Sequence, residues 1–401
     1  MKLIFINIIF LACTAFCSAQ KLLFEPSLKT AFEKAVRENK LVFVEYYNAE
    51  CPVCKKLEPV FSDTALAKFY NEHFISYKLN TENIKKDDSL FIQKAGLEFE
   101  TVPYFLFFDK TGHFVHYSGT KQDIEYLVAA GRTALDPKQR TGDLGNKYTS
   151  GDRSIKTLYA YSNLLQLYKK DSMRSIIADE LFAVFPKEEL GSEKSYTITK
   201  NCATGIENGF FIYWINHINE LKELEKNKKT VHPVNVLGDI LLKSVNSNER
   251  KKWSLAKIRA VKGMILKTEI SKDPDAFFWE QESMLLVKEN RLNEAMELFH
   301  TIIIKDSDNI TASAYTLNYY LNILNDNASL KKVKSWIDKL SEKQMDNSSK
   351  ATMMYCNIFF YKKIKDENNL KQLSRQAIDF YKANSIDTTS LNLLLADPEK
   401  K

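Results

Sequence analysis

The chain has 401 residues, a formal net charge of +6 and 44% hydrophobic residues, among them 25 Phe and 19 Tyr. It is long enough for two or three domains and too apolar to be a disordered polymer. Its lysine runs, such as Lys226-Asn227-Lys228-Lys229, are scattered and read as helix ends or solvated loops, which argues against nucleic-acid binding.

Met1-Lys2 precede an apolar run from Leu3 to Phe16 and then Cys17-Ser18-Ala19-Gln20. One positive charge, a short apolar core and small residues ahead of a polar one describe a secretory signal over 1–19, cut after Ala19. The run is short for a bilayer span, and Phe10-Leu11-Ala12-Cys13 is a poor lipoprotein box. Export to a bacterial periplasm is therefore the expectation, ahead of full secretion or a lipid anchor. Cys51, Cys54, Cys202 and Cys356 remain, too few for a disulfide-stapled scaffold. Cys202 and Cys356 are expected as buried thiols, with a bridge between them left open.

Residues 20–135 alternate helix and strand. Ser27 to Glu38 has a helical period, with Leu28, Phe32 and Val36 on one face and Ser27 placed to cap it. Leu41-Val42-Phe43-Val44 is a continuous apolar run, as in a strand covered on both faces. A helix begins at Cys51-Pro52-Val53-Cys54 and carries Pro59, which is expected to kink it. Phe74 to Leu79 and Tyr104 to Phe108 are further strands. Asp109-Lys110-Thr111-Gly112 turns the chain into Phe114-Val115-His116-Tyr117, forming a hairpin, and Lys121 to Thr133 closes the unit as a helix. The order predicts an α/β domain with a mixed central sheet flanked by helices.

Residues 136–146 are polar, with proline and glycines, and read as a linker. From 147 to 401 helical patterns follow one another. Phe211, Trp214, Ile215, Ile218 and Leu221 fall on one stripe, and Leu292, Ala295, Met296, Phe299, Ile302 and Ile303 on another. Polar breaks near Asn246, Lys272, Asn290, Ser307, Asn325, Asn347 and Glu367 predict helical hairpins. Trp279 to Asp306 resembles a tetratricopeptide repeat in outline, with Trp279 early and Ala295 and Phe299 on the second helix. Ser283 stands where that repeat has glycine, and no proline closes the unit. This predicts a degenerate helical-repeat domain.

The chemistry concentrates at the Cys-x-x-Cys pair. Its sulfurs lie about one helical turn apart, close enough to open and close a disulfide. Backbone N–H groups at a helix start favour a thiolate on Cys51, which should be the attacking sulfur. Pro52 suits the first helical turn, where its missing N–H has no helical partner. Cys54, one turn in and more buried, should resolve the mixed disulfide. A zinc site is the competing reading, but no second Cys-x-x-Cys or His pair accompanies the two thiols. His113 and His116 lie at odd spacing on one strand and face opposite sides.

Residues 22–134 resemble the thioredoxin family, particularly the C-terminal reductase domain of bacterial transmembrane thiol:disulfide interchange proteins. The resemblance rests on Cys51 and Cys54 after the strand, Lys55 after the second cysteine, Pro59, Phe61-Ser62-Asp63, Glu45, Lys78-Leu79-Asn80 and Thr101-Val102-Pro103-Tyr104. It implies that Glu45 is the buried acid, raised by desolvation and able to exchange a proton with Cys54, and that Lys78 faces it. It also implies a cis bond between Val102 and Pro103, leaving the Val102 backbone to pair with a substrate strand. Tyr47, Tyr104, Pro52 and Val53 would line that contact. The chain departs from thioredoxin in having Glu50 before the first cysteine and Pro52-Val53 between the two. Glu50 opposes a thiolate while Lys55 and Lys56 favour it, so redox direction stays open.

The expected activity is that of an exported thiol–disulfide oxidoreductase acting on protein thiols and disulfides. Its centre would be the Cys51–Cys54 disulfide, with no separate cofactor or metal. The helical domain would select substrates or mediate self-association, and a membrane dithiol carrier would be the redox partner. The alternative is a helical scaffold that binds partners while the α/β domain stays redox-idle.

Overall fold

The computed structural model describes residues 21–99, 101–119, 121–225 and 233–396, so the expected signal lies outside the described residues. They divide into two compact units, one ending at Glu220 and one beginning at Leu221. No helix among them is long and apolar enough to cross a membrane.

The first unit is built on five strands: β1 (Phe24–Glu25), β2 (Leu41–Tyr47), β3 (Phe74–Asn80), β4 (Tyr104–Phe108) and β5 (Phe114–Ser118). They lie in the order β1-β3-β2-β4-β5. The first three are parallel, and β4 and β5 are antiparallel additions. Phe43, Phe74, Phe105 and Phe107 face α3 (Thr64–His73) and α5 (Ile124–Leu135) in one core layer. Val42, Val44, Tyr77, Leu106 and Phe108 face α1 (Leu28–Glu38) and α4 (Lys86–Lys94) in the other. Side chains alternate across the pleat, so the near-continuous apolar runs serve both layers.

Ser27 caps α1 in a capping box with Thr30. The buried face of α1 is Leu28, Ala31 and Ala35, while Val36 is 58% exposed. Steps of four residues drift by about 40° per turn from the helical period, which carries Val36 out to solvent. Pro59 does not kink a continuous helix. The short helix α2 (Pro52–Lys55) stops at Lys55, four residues before the proline, whose ring excludes a helical carbonyl there. Val60–Ser62 then form a 3-10 turn, and Asp63 caps α3.

The predicted linker is docked on β5. Thr141 accepts the Tyr117 N–H at 3.1 Å and meets His116 Nδ1 at 3.0 Å. A Cβ on Gly142 would sit 2.8 Å from the carbonyl oxygens of Phe114 and Val115, so only glycine lies this close. Beyond it come α6 (Leu144–Thr149), α7 (Ile155–Leu167), α8 (Asp171–Val184), α9 (Glu193–Cys202) and α10 (Gly209–Asn216). Leu167 enters the α1-side core, and its carbonyl accepts the Glu98 N–H at 2.7 Å. The division expected at 146/147 therefore does not coincide with that of the compact units: these first helices belong with the sheet.

The stripe from Phe211 to Leu221 is split, because α10 ends at Asn216, capped by His217, and α11 (Ile218–Glu225) starts afresh. The second unit continues with α12 (Pro233–Val245), α13 (Leu255–Lys267), α14 (Asp275–Lys288), α15 (Leu292–Lys305), α16 (Ile310–Ile323) and α17 (Asn327–Ser341). Then follow α18 (Asn347–Lys363), α19 (Glu367–Ala383) and α20 (Thr389–Leu395). The helices from α14 to α19 form successive hairpins whose first helices stack, α14 on α16 and α16 on α18. The turns fall where the polar breaks predicted them. Glycine is absent here, so Asn290 (φ 58°) and Lys365 (φ 60°) take the left-handed positions. Ala295, Met296, Phe299, Ile302 and Ile303 are all buried, and Trp279 stacks parallel to Tyr320 at 6.3 Å. Cys202 and Cys356 are free, buried thiols, one in each unit.

Candidate dithiol site

The register of β2 on β3 pairs Glu45 with Lys78, and both side chains lie on the α3 side of the sheet. Glu45 is fully buried, and neither of its carboxyl oxygens receives a hydrogen bond from the described residues. Lys78 Nζ stands 3.4 Å from Glu45 Oε2 and also pairs with Glu58. Its ammonium lies over the rings of Phe24, Phe61 and Tyr47 at 4.9, 5.3 and 5.5 Å. Burial pushes the Glu45 carboxyl up to about 7, against the opposing pull of Lys78. Burial also works against the Lys78 charge, but Glu45 and Glu58 outweigh it and raise its pKa.

Glu58 is a neighbour of this pair that the sequence alone did not point to. Its partner Lys78 is 20 positions away, so no local spacing announces the pair. It leaves Lys78 shared between one buried and one half-exposed carboxylate.

Cys51 occupies the N-cap of α2 and Pro52 its first turn. Cys51 is partly exposed and Cys54 is 2% exposed. Burial raises the Cys51 thiol, but hydrogen bonds from the Cys54 and Val53 backbone and from the Cys54 thiol outweigh it and lower its pKa. Cys54 is pushed up to about 11, first by burial and then by its neighbour's sulfur and the Glu45 charge. The two sulfurs are thus driven apart in acidity by their positions on one short turn. Glu50 and Lys55 pair at 3.0 Å, so their opposing effects on Cys51 largely cancel.

The Val102–Pro103 peptide bond is cis, and the Val102 carbonyl oxygen lies 3.9 Å from Cys51 Sγ. Pro103 is buried and Val102 partly exposed, while Pro52 and Val53 are open to solvent. Tyr47 closes the Lys78 side. Tyr104 is directed elsewhere: it is the register partner of Tyr46 and packs with Phe99 and Tyr117 on the α1 side. His113 lies in the turn before β5, exposed and bonded to Thr111, and His116 is buried. Burial, helped by Arg140, lowers the His116 imidazole to about 4 and keeps it neutral.

Residues 24–130 match the sequence model of the thioredoxin family, so this segment is a thioredoxin domain. No curated protein matches the chain significantly. Among solved structures, a solution structure of a "putative disulphide-isomerase" from Bacteroides thetaiotaomicron is similar, with 27% identity and a TM-score of 0.26. That match covers 30% of this chain and 97% of the other.

Proposed function

We propose that the thioredoxin domain makes this chain an exported thiol–disulfide oxidoreductase acting on cysteines of other proteins. The observation that carries this reading is the split between the two thiols, Cys51 accessible and acidified, Cys54 buried and held protonated. A nucleophile must be a thiolate at the surface, and a resolving thiol must wait until the mixed disulfide has formed.

In the reducing direction the Cys51 thiolate attacks one sulfur of a substrate disulfide. The Cys51–substrate disulfide forms, and the other substrate sulfur leaves as a thiolate that takes up a proton. Cys54 then gives its proton toward the Glu45 carboxylate and attacks Cys51 Sγ, releasing the second substrate thiolate. The substrate gains two electrons, and Cys51 and Cys54 lose them to become a disulfide. The oxidising direction is the same path reversed. A Glu45 carboxyl near pH 7 suits a group that both takes and returns a proton at neutral pH. The Val102 backbone beside Cys51 offers main-chain hydrogen bonding to an extended substrate segment. Sustained reduction needs a donor of two electrons, for which a membrane dithiol carrier is the fitting class. The helical region would select substrates or join copies of the chain.

Cys54→Ser tests this directly. It should accumulate mixed disulfides through Cys51 with exported proteins, released by dithiothreitol and absent in the Cys51→Ser, Cys54→Ser double variant. Trapping no better than the double variant, with partners retained by the helical units regardless of either cysteine, would favour the redox-idle scaffold. Equilibration of the Cys51–Cys54 pair with glutathione then separates reductase from oxidase.

A further inference from the structure

A second cavity lies at the opposite end of the sheet from the dithiol. The dithiol follows the C-terminal end of β2, whereas the β4–β5 turn follows Phe108, the register partner of Val42 near the start of β2. Beside that turn is a half-enclosed cavity of about 530 Å³, within the range that holds one small organic ligand. Its walls are the rings of Phe32, Phe91, Phe114 and Tyr168, each only partly buried. Phe32 and Phe91 are 5.1 Å apart, and Phe114 meets Tyr168 edge-on at 6.2 Å.

Two features distinguish this cavity from an ordinary surface dent. Tyr168, the C-cap residue of α7, supplies one wall, so the cavity exists because the helical extension docks here. Gly112, at φ 89°, keeps the floor open, since a Cβ there would come within 3.2 Å of the Phe91 ring. The rim is cationic. Lys94 and Lys110 are exposed and have no carboxylate partner among the described residues. Lys110 donates only to the neutral Asn39 amide, at 2.7 Å. Asp109, beside Lys110 in the chain, is occupied in capping the turn through Thr111 and the His113 N–H.

The geometry points to a binding site for a small amphipathic anion, a flat apolar body carrying a carboxylate or sulfonate, held by the four rings with its charge at Lys94 and Lys110. Aromatic walls favour a planar body, and two uncompensated ammonium groups at the mouth select an anion over a neutral or cationic one. The site is separate from the dithiol and does not depend on its activity.

The test is a fluorescence titration of the full mature chain with 8-anilinonaphthalene-1-sulfonate, with backbone-amide NMR shifts locating the probe. Saturable binding should shift Thr111 and Gly112, and Lys94→Glu with Lys110→Glu should weaken it at least tenfold. Ala95→Trp, which fills the cavity, should abolish it. Alkylation of Cys51 should proceed at the wild-type rate in both variants, showing that the domain is folded. Affinity within twofold of wild type in the charge-reversed protein would overturn the proposal, as would shifts confined to other residues. Should Ala95→Trp fail to fold, the charge-reversed variant decides alone.

Discussion

Two glutamates are buried among the described residues, one in each compact unit, and they are treated in opposite ways. Glu282, on α14, receives Arg259 Nε at 3.3 Å and Lys262 Nζ at 2.8 Å, a paired charge held between α13 and α14. Glu45 has a single cation at 3.4 Å, shared with Glu58, and no hydrogen bond from the described residues. A buried carboxylate costs several kcal/mol unless hydrogen bonds and counter-charges repay it. The second unit repays it, so Glu282 fixes helix packing. In the first unit the deficit appears as a carboxyl that titrates near neutrality, next to a pair of thiols. The comparison teaches that under-satisfaction, rather than burial alone, decides which acid titrates near neutrality.

The sharpest way to break that contrast is at the sulfurs beside Glu45. Cys51→Ser should lower exchange with a protein disulfide by at least about a thousandfold, since no other exposed thiol is present among the described residues. Glu282→Gln should leave exchange unaltered. An insulin-reduction assay on both variants checks this, and a loss in Glu282→Gln approaching that of Cys51→Ser would mean that exchange also depends on the acid of the second unit.

Stability separates them next. Glu282→Ala leaves Arg259 and Lys262 facing a gap and should cost about 2–3 kcal/mol, discounted from a fully buried pair because both cations are partly solvated. Urea denaturation followed at the tryptophans would show it, and a cost below about 0.5 kcal/mol would remove its packing role.

Glu45→Gln should act with the opposite sign, in a defined pH window. The folded carboxyl titrates near 7 and the unfolded one near 4.5, so the fold favours the protonated form. That contribution is complete below pH 4.5 and is lost as the pH rises through 7, a drop of about 3 kcal/mol by linkage. The Gln variant should lack the drop and so exceed wild type in stability at pH 8 while matching it at pH 4. It should also lose the pH dependence of the Cys54 step. Melting curves of Glu45→Gln and its parent at the two pH values, both in a His116→Gln background, check the sign, and a variant no more stable than its parent at pH 8 would contradict it. That control is needed because a histidine held neutral, near 4 when folded, contributes stability above pH 6.5 that is lost toward acid.

Much of this arrangement could be read from residues alone, and the exceptions have physical causes. Strand positions and the cysteine pair were recognisable because apolar runs and short motifs are local signals, whereas Glu45 with Lys78 and the Val102–Pro103 segment came from the family resemblance alone. Hairpin limits in the second unit were recognisable because polar breaks interrupt a helical period. Val36 was misplaced because counting in fours ignores the drift of the period, and Pro59 because a proline ends a helix as readily as it bends one. The docked segment at Thr141–Gly142 and the partnership of Glu58 with Lys78 were invisible, since each depends on contacts between residues at least 20 positions apart. Only the folded register reveals such neighbours.

The smallest expected effect bounds the comparison from the solvent side. Glu50, immediately before Cys51, is an exposed carboxylate paired with an exposed Lys55. Water screens both groups, so the pair should contribute under about 0.5 kcal/mol to stability. Glu50→Gln removes one negative charge but also frees Lys55 to swing from its place beside the dithiol, so the net field at Cys51 changes little. The rate of Cys51 alkylation against pH should keep its midpoint within about 0.3 units, whereas salt should alter it equally little in both proteins. A larger midpoint shift would show that the domain tunes its nucleophile from the surface as well as through the backbone N–H groups of α2.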